Sequence, residues 1–245
     1  MTETIAARTT IEPMGQELRD AIVTGARRYS QTQFLPHDEF CRIMSDEAIL
    51  GEIRRSNAAN QLRVGDMNQD QAEKELLQHV KRNRKQLFAI LSLMEKTKDI
   101  LSFINNDVDD SHLPFYTHHE SQTHLYKKRG SDEKETSVTP IHLEWSDNDK
   151  ENLCHQQSKI RVAIFIREGQ NTKPAHFDLD EGLTLPFIES EEVGSGGTSN
   201  VLRVRIPPSH HAFKHLAPGK VITPSPPPSQ NANPREQVVS SPSLH

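Results

Sequence analysis

Aromatic residues are scarce in this 245-residue chain: 5% are Phe, Trp or Tyr, and only 33% are hydrophobic in all. That supports a core over part of the length but not over the whole. Cysteine is scarcer still. Cys41 and Cys154 fall in no spacing motif, so a disulfide framework is excluded and free thiols in a reducing compartment are expected. No apolar run approaches the roughly 18 residues that a membrane-crossing helix needs. The opening Met1-Thr-Glu-Thr-Ile-Ala-Ala-Arg has neither the charged start nor the apolar stretch of a secretory signal. Positive charge is not in excess either; a net charge of -5 argues against a dedicated nucleic-acid binder. These absences together describe an intracellular chain, cytoplasmic or nuclear, with neither nucleic acid nor membrane among its partners.

What is present is mainly helical pattern. Ile11–Tyr29 places Ile11, Met14, Leu18, Ile22 and Val23 on one face. In Phe34-Leu-Pro-His-Asp-Glu-Phe, Pro36 marks a helix start, with Asp38 and Glu39 in the first turn where negative charge suits the helix dipole. Ser45 is a natural N-cap for Asp46–Arg55. The strongest signal is Asp70–Ile104, which has no Pro or Gly. Val80, Leu87, Met94 and Leu101 recur every seven residues there, and Leu76, Leu77, Phe88, Ile90 and Leu91 widen the stripe. This predicts an amphipathic helix, broken at most once, packed against helical neighbours. A partner protein docked on the Val80–Leu101 face is the alternative, although Asn83 and Thr97 interrupt the seam that a coiled coil would need.

Further on, Asp107–Asp110 ends the helix and Tyr116–Asp149 reads as a long polar loop. Ile160–Ile166 is β-branched and reads as a strand. Nine of the 15 prolines fall in 207–245, a composition unable to offset its ordering entropy, so that tail is expected to be disordered. The expected organisation is a disordered 1–9, a helical domain over 10–110, a polar linker over 111–158, a β segment over 159–206 and the Pro/Ser-rich tail.

The β segment holds the most informative stretch. Val193-Gly-Ser-Gly-Gly-Thr-Ser-Asn-Val-Leu-Arg-Val-Arg205 has the form G-x-G-x-x-S-x-V between two β-like runs, Leu185–Val193 and Val201–Ile206. Backbone N–H groups on a tight turn approach phosphate oxygens only where side chains are absent, so Gly194 and Gly196 would supply room and unusual φ angles. Gly-Ser-Gly-Gly is also an ordinary flexible turn. Ser199 and Thr198 stand where a third glycine and an aromatic are usual. Elsewhere, His119 and His124 are five apart rather than the four that a helical zinc site requires. His210, His211 and His215 read as a solvated cluster among prolines, and Pro224-Ser-Pro-Pro227 matches a short polyproline pattern by chance. No Ser-His-Asp or Cys-His arrangement is evident.

Several signposts occur in a telling order. These are Phe34-Leu-Pro-His-Asp-Glu-Phe, then Lys85-Gln-Leu-Phe-Ala-Ile-Leu-Ser-Leu-Met-Glu-Lys, Ile100-Leu-Ser-Phe-Ile-Asn-Asn-Asp and Asp110-Ser-His-Leu-Pro-Phe115. After them come Leu185-Pro-Phe-Ile-Glu-Ser-Glu-Glu-Val-Gly-Ser-Gly-Gly and Val204-Arg-Ile-Pro-Pro-Ser-His-His211. Over roughly residues 30 to 213 the chain resembles the N-terminal region of fungal serine/threonine protein kinase-like proteins. In that family a helical extension precedes a kinase domain that begins at the Leu-Pro-Phe strand. The resemblance implies that Val193, Gly194, Ser195, Gly196, Gly197 and Val201 match the loop covering ATP. It also implies a truncation just after that loop. The third-strand lysine, the H-R-D base, the D-F-G metal ligand and the A-P-E anchor have no counterparts, and Ala212-Phe213-Lys214 only mimics the lysine strand. ATP with Mg is therefore implied only where the kinase domain is complete. The chain itself is expected to be inactive in phosphoryl transfer, or to be a non-catalytic helical interaction module.

Overall fold

The computed structural model describes residues 12–26, 32–62, 67–118, 121–127, 136–137, 143, 145–165, 179, 182–195 and 200–211. All of them belong to one compact unit, Met1–Ala212; of the tail expected over 207–245, residues 207–211 are folded, with a short 3-10 turn at Pro208–His210, and 212 onward lies outside the described residues, as does 1–9. The described part is mostly helical with small antiparallel sheets. Its helices are α1 (Met14–Ala21), α2 (His37–Ile43), α3 (Asp46–Ser56), α4 (Gln69–Asn83), α5 (Lys85–Leu93), α6 (Ile100–Asn105) and α7 (Asp147–Ile160). The strands are β1 (Val23–Thr24), β2 (Gln33–Phe34), β3 (Phe115–His118), β4 (Ser121–Lys127), β5 (Thr136–Ser137), β6 (Glu189–Ser195) and β7 (Asn200–Arg205).

α5 is the axis of the core. Leu87 through Leu93 are all buried, and a helix that is apolar all round has to be enclosed by other elements. α1, α4, α6 and α7 supply that enclosure. The approach of α1 is close: a Cβ at Gly15 would lie 2.2 Å from the Ser92 carbonyl oxygen, so only glycine fits there. Capping follows the local sequence. Ser45 Oγ accepts from Ala48 N at 3.3 Å, and Pro36 precedes α2 with Asp38 and Glu39 in its first turn.

The long 70–104 pattern is broken twice rather than at most once. The first break is at Arg84, which is buried and donates Nε to the Val108 carbonyl at 2.9 Å; the second spans Met94–Asp99. Val80, Leu87, Met94 and Leu101 are buried in the chain's own core. The face considered for a partner is thereby corrected: intramolecular packing consumes it.

Two further expectations change. Where a polar loop was expected, β3 and β4 pair antiparallel, and α7 begins with a capping box in which Ser146 and Asp149 bond each other's backbone N–H groups. The strand expected over Ile160–Ile166 is the end of α7 followed by an extended segment. That segment makes two isolated parallel bridges, Val162 to Thr184 and Phe165 to His211; Ile166 lies outside the described residues.

Candidate functional site

β6 and β7 form the hairpin expected around the glycine segment. It is mounted on the helical module by backbone bonds. Ala26 N donates to Phe187 O at 2.7 Å, and Thr184 is bonded on both sides by Arg161 O and Ala163 N, each at 2.9 Å; Ile188 N, donating to Arg205 O at 3.0 Å, closes the base of the hairpin itself. Across the hairpin, Glu189 pairs with Arg205, and Glu191 with Arg203 at 3.3 Å. These exposed pairs balance charge locally and contribute little stability.

The register runs Glu192 opposite Leu202, then Gly194 opposite Val201, leaving Val193 as the extra residue of a β-bulge. Val193 and Gly194 therefore oppose Val201 together. Alternation along β7 puts Val201, Arg203 and Arg205 on one face and Leu202 and Val204 on the other. Val193 and Val201 are 48% and 45% exposed, an uncovered apolar pair beside Gly194.

Gly194 itself corrects one expectation. Among the described glycines only Gly182 has a positive φ, so Gly194 supplies no unusual backbone conformation. A Cβ built on it would meet no atom of a described residue within 4 Å. What it contributes is room on the outer face. Ser195 closes β6; Gly196 and Gly197, with Thr198 and Ser199, lie outside the described residues. The structure thus brings Val193, Gly194 and Val201 together, and the tip of the loop is not described.

His210, expected to be solvated, is fully buried. Its Nδ1 donates to the Ala163 carbonyl at 2.9 Å, and its Nε2 accepts from His37 N, the first N–H of α2, at 3.0 Å. The Phe34 ring meets it edge-on with centroids 5.8 Å apart. Burial pushes its pKa down; the bond to Ala163 and the Asp38 carboxylate push it up, and His37 and His211 down. The signal in the sequence was the order Pro207-Pro-Ser-His, a turn that carries its histidine inward, but the neighbouring prolines suggested solvent.

Elsewhere the chemistry is sparse. Neither cysteine is in a disulfide; Cys41 is exposed and Cys154 half-buried, its thiol directed at the Phe115 carbonyl 3.4 Å away. His119 lies outside the described residues and His124 is in strand β4, not on a helix. Among the described residues there is no cluster of His, Cys, Asp and Glu able to hold a metal ion, and no helix is long and apolar enough to cross a membrane. Comparison with protein-family models, curated proteins and solved structures returned no match.

Proposed function

We propose that residues 189–205 form a nucleotide-covering hairpin of the kind that opens a protein kinase domain, carried on a helical module that serves as its N-terminal extension. The observation that carries this reading is Gly194. A bulge that requires glycine places it in the left-handed region, and Gly194 is not there. No described neighbour needs the space either. A glycine inside a strand whose room faces outward suits close approach of something outside the chain. Beside it stand Val193 and Val201, exposed on the same face, an apolar pair of a size to meet the flat ring of a nucleotide base.

Binding is proposed, not transfer. Phosphoryl transfer works by positioning and by charge neutralisation through a lysine, magnesium ligands and a residue orienting the nucleophile. The sequence offers no counterpart of these groups.

Backbone-amide NMR during a Mg-ATP titration tests the reading. Shift changes confined to residues about 193–201, saturating in the millimolar range and absent in Gly194→Val, are expected. A titration that moves none of these amides, or that moves them equally in Gly194→Val, would reject it.

A further inference from the structure

β1–β2 and β6–β7 are separate two-stranded sheets, yet a line of backbone bonds crosses from one to the other. Thr32 O accepts Gly25 N at 2.7 Å, Phe187 O accepts Ala26 N at 2.7 Å, and Arg205 O accepts Ile188 N at 3.0 Å. The last two bonds use the two ends of a single peptide group, the Phe187 carbonyl and the Ile188 N–H. That group is planar, and its carbonyl and N–H point in opposite directions. Holding the carbonyl toward Ala26 therefore also aims the N–H at Arg205, and the base of the hairpin is set in line with the end of β1.

Gly25 is the seat of this crossing. It is buried, and a Cβ built on it would lie 2.9 Å from Phe187 O, 2.9 Å from Thr32 Oγ1 and 3.1 Å from Thr32 O. Two of those three atoms are backbone, which cannot swing aside as the end of a long side chain would. Its φ lies outside the left-handed region, so space rather than conformation demands glycine here. A glycine beside a strand often marks such a close approach of another backbone. The arm that carries Gly25 is close-packed at its other end too. Gly15 lets α1 lie against the Ser92 carbonyl of α5, where an added Cβ would sit 2.2 Å from the oxygen. From α1 the chain turns extended at Ile22 and runs directly into β1.

From this we infer that the arm from Gly15 to Ala26 is a strut, seated at Gly25, through which the helical module sets the placement of the β6–β7 hairpin. A shift of α1 on α5 passes along the arm and reaches the hairpin at the Phe187–Ile188 peptide. The module is thereby a regulator of the hairpin and not only its neighbour in sequence. The inference rests on backbone contacts alone and holds whether or not the hairpin covers a nucleotide.

Amide hydrogen exchange of the full chain, followed by NMR without any ligand, is the test. Gly25→Ala is expected to speed exchange over residues 188–192 and 201–205 by roughly tenfold or more, while Leu87–Leu93 of α5 change by less than about threefold. Ala26→Pro deletes the donor to Phe187 O without adding bulk at Gly25, and is expected to do the same; it serves alone if Gly25→Ala does not fold. Arg19→Ala acts at the far end of the arm, removing the bonds from α1 to the Leu93 carbonyl at 3.0 Å and to Glu95 at 2.9 Å. It is expected to speed the same hairpin amides. Gly51→Ala is the control, since a Cβ there meets no atom of a described residue within 4 Å, and hairpin exchange is expected to match the wild type. Equal acceleration of the hairpin and α5 would make Gly25 an ordinary packing residue. Unchanged hairpin exchange in the folded seat variants, or in Arg19→Ala, would overturn the strut.

Discussion

The carboxylate of Asp110 accepts N–H groups from Gln86 at 3.0 Å and Leu87 at 2.8 Å, closing the first turn of α5 where the Arg84 break leaves donors open. Burial nevertheless pushes its pKa up to about 6, against the two N–H bonds and the nearby Arg84, which pull it down. A carboxyl that titrates near 6 when folded and near 3.8 when unfolded holds its proton longer in the native state. The unfolded chain therefore binds fewer protons between those values, and this group's contribution to stability falls as pH rises through that window. Asp110→Asn cannot ionise. Its urea-unfolding stability, subtracted from that of the wild type across pH 4 to 7 (about the window in question), is expected to leave a difference that declines with pH and flattens above about 6. A flat difference throughout would mean that Asp110 keeps its charge in the folded protein.

At the scale of elements, α7 shows what pattern-reading sees and what escapes it. The inward face of this helix is Lys150, Leu153, Gln157 and Ile160, so half of its buried positions are polar and the apolar period is too thin to register. Gln157 is inside because its side-chain amide behaves as a backbone: Oε1 accepts Phe115 N at 2.8 Å and Nε2 donates to Phe115 O at 2.6 Å, fixing β3 to α7. No propensity encodes that tertiary use. The capping box at Ser146 and Asp149 was the legible clue. By contrast α2, α3 and most of 70–104 were readable, because Pro36, Ser45 and a wide Leu/Ile/Phe stripe act locally. Gln157→Leu keeps much of the volume and removes both amide bonds to Phe115, leaving its carbonyl only the long contact from the Cys154 thiol. With a buried N–H unmatched and the carbonyl left to a weak donor, a loss of about 1–3 kcal/mol in urea unfolding is expected. A loss within about 0.5 kcal/mol, as at an ordinary surface position, would show that water replaces the amide and that the clasp is not structural.

For the whole molecule the deciding question is how the hairpin stays joined to the helices, and His210 lies at that junction. It ties the turn after β7 to the start of α2 and to the extended segment after α7, while its own carbonyl accepts Phe165 N at 2.8 Å. Both ring nitrogens are used, one as donor and one as acceptor, which only neutral imidazole can satisfy. Protonation would turn Nε2 into a donor facing the His37 N–H. With its folded pKa below the ordinary 6.5, the unfolded state binds the extra proton first. The stability this residue contributes is thus complete above about pH 6.5 and is lost as pH falls toward the folded value. That slope is opposite in sign to the one from Asp110, so a wild-type profile alone mixes them, and a variant has to separate them. His210→Gln can donate one amide hydrogen to Ala163 O and accept from His37 N without titrating; His37, Asp38 and His211 around it are unchanged. The wild type is expected to lose stability relative to His210→Gln on acidification from about pH 7 to 5. Amide shifts of the hairpin and of residues 161–165 should broaden in the wild type before those of α5 do. Parallel stability profiles in the two proteins would show that the junction holds whether or not the histidine is charged. The hairpin would then be fastened mainly by the Thr184 and Phe187 backbone bonds, which no change of pH within this range can loosen.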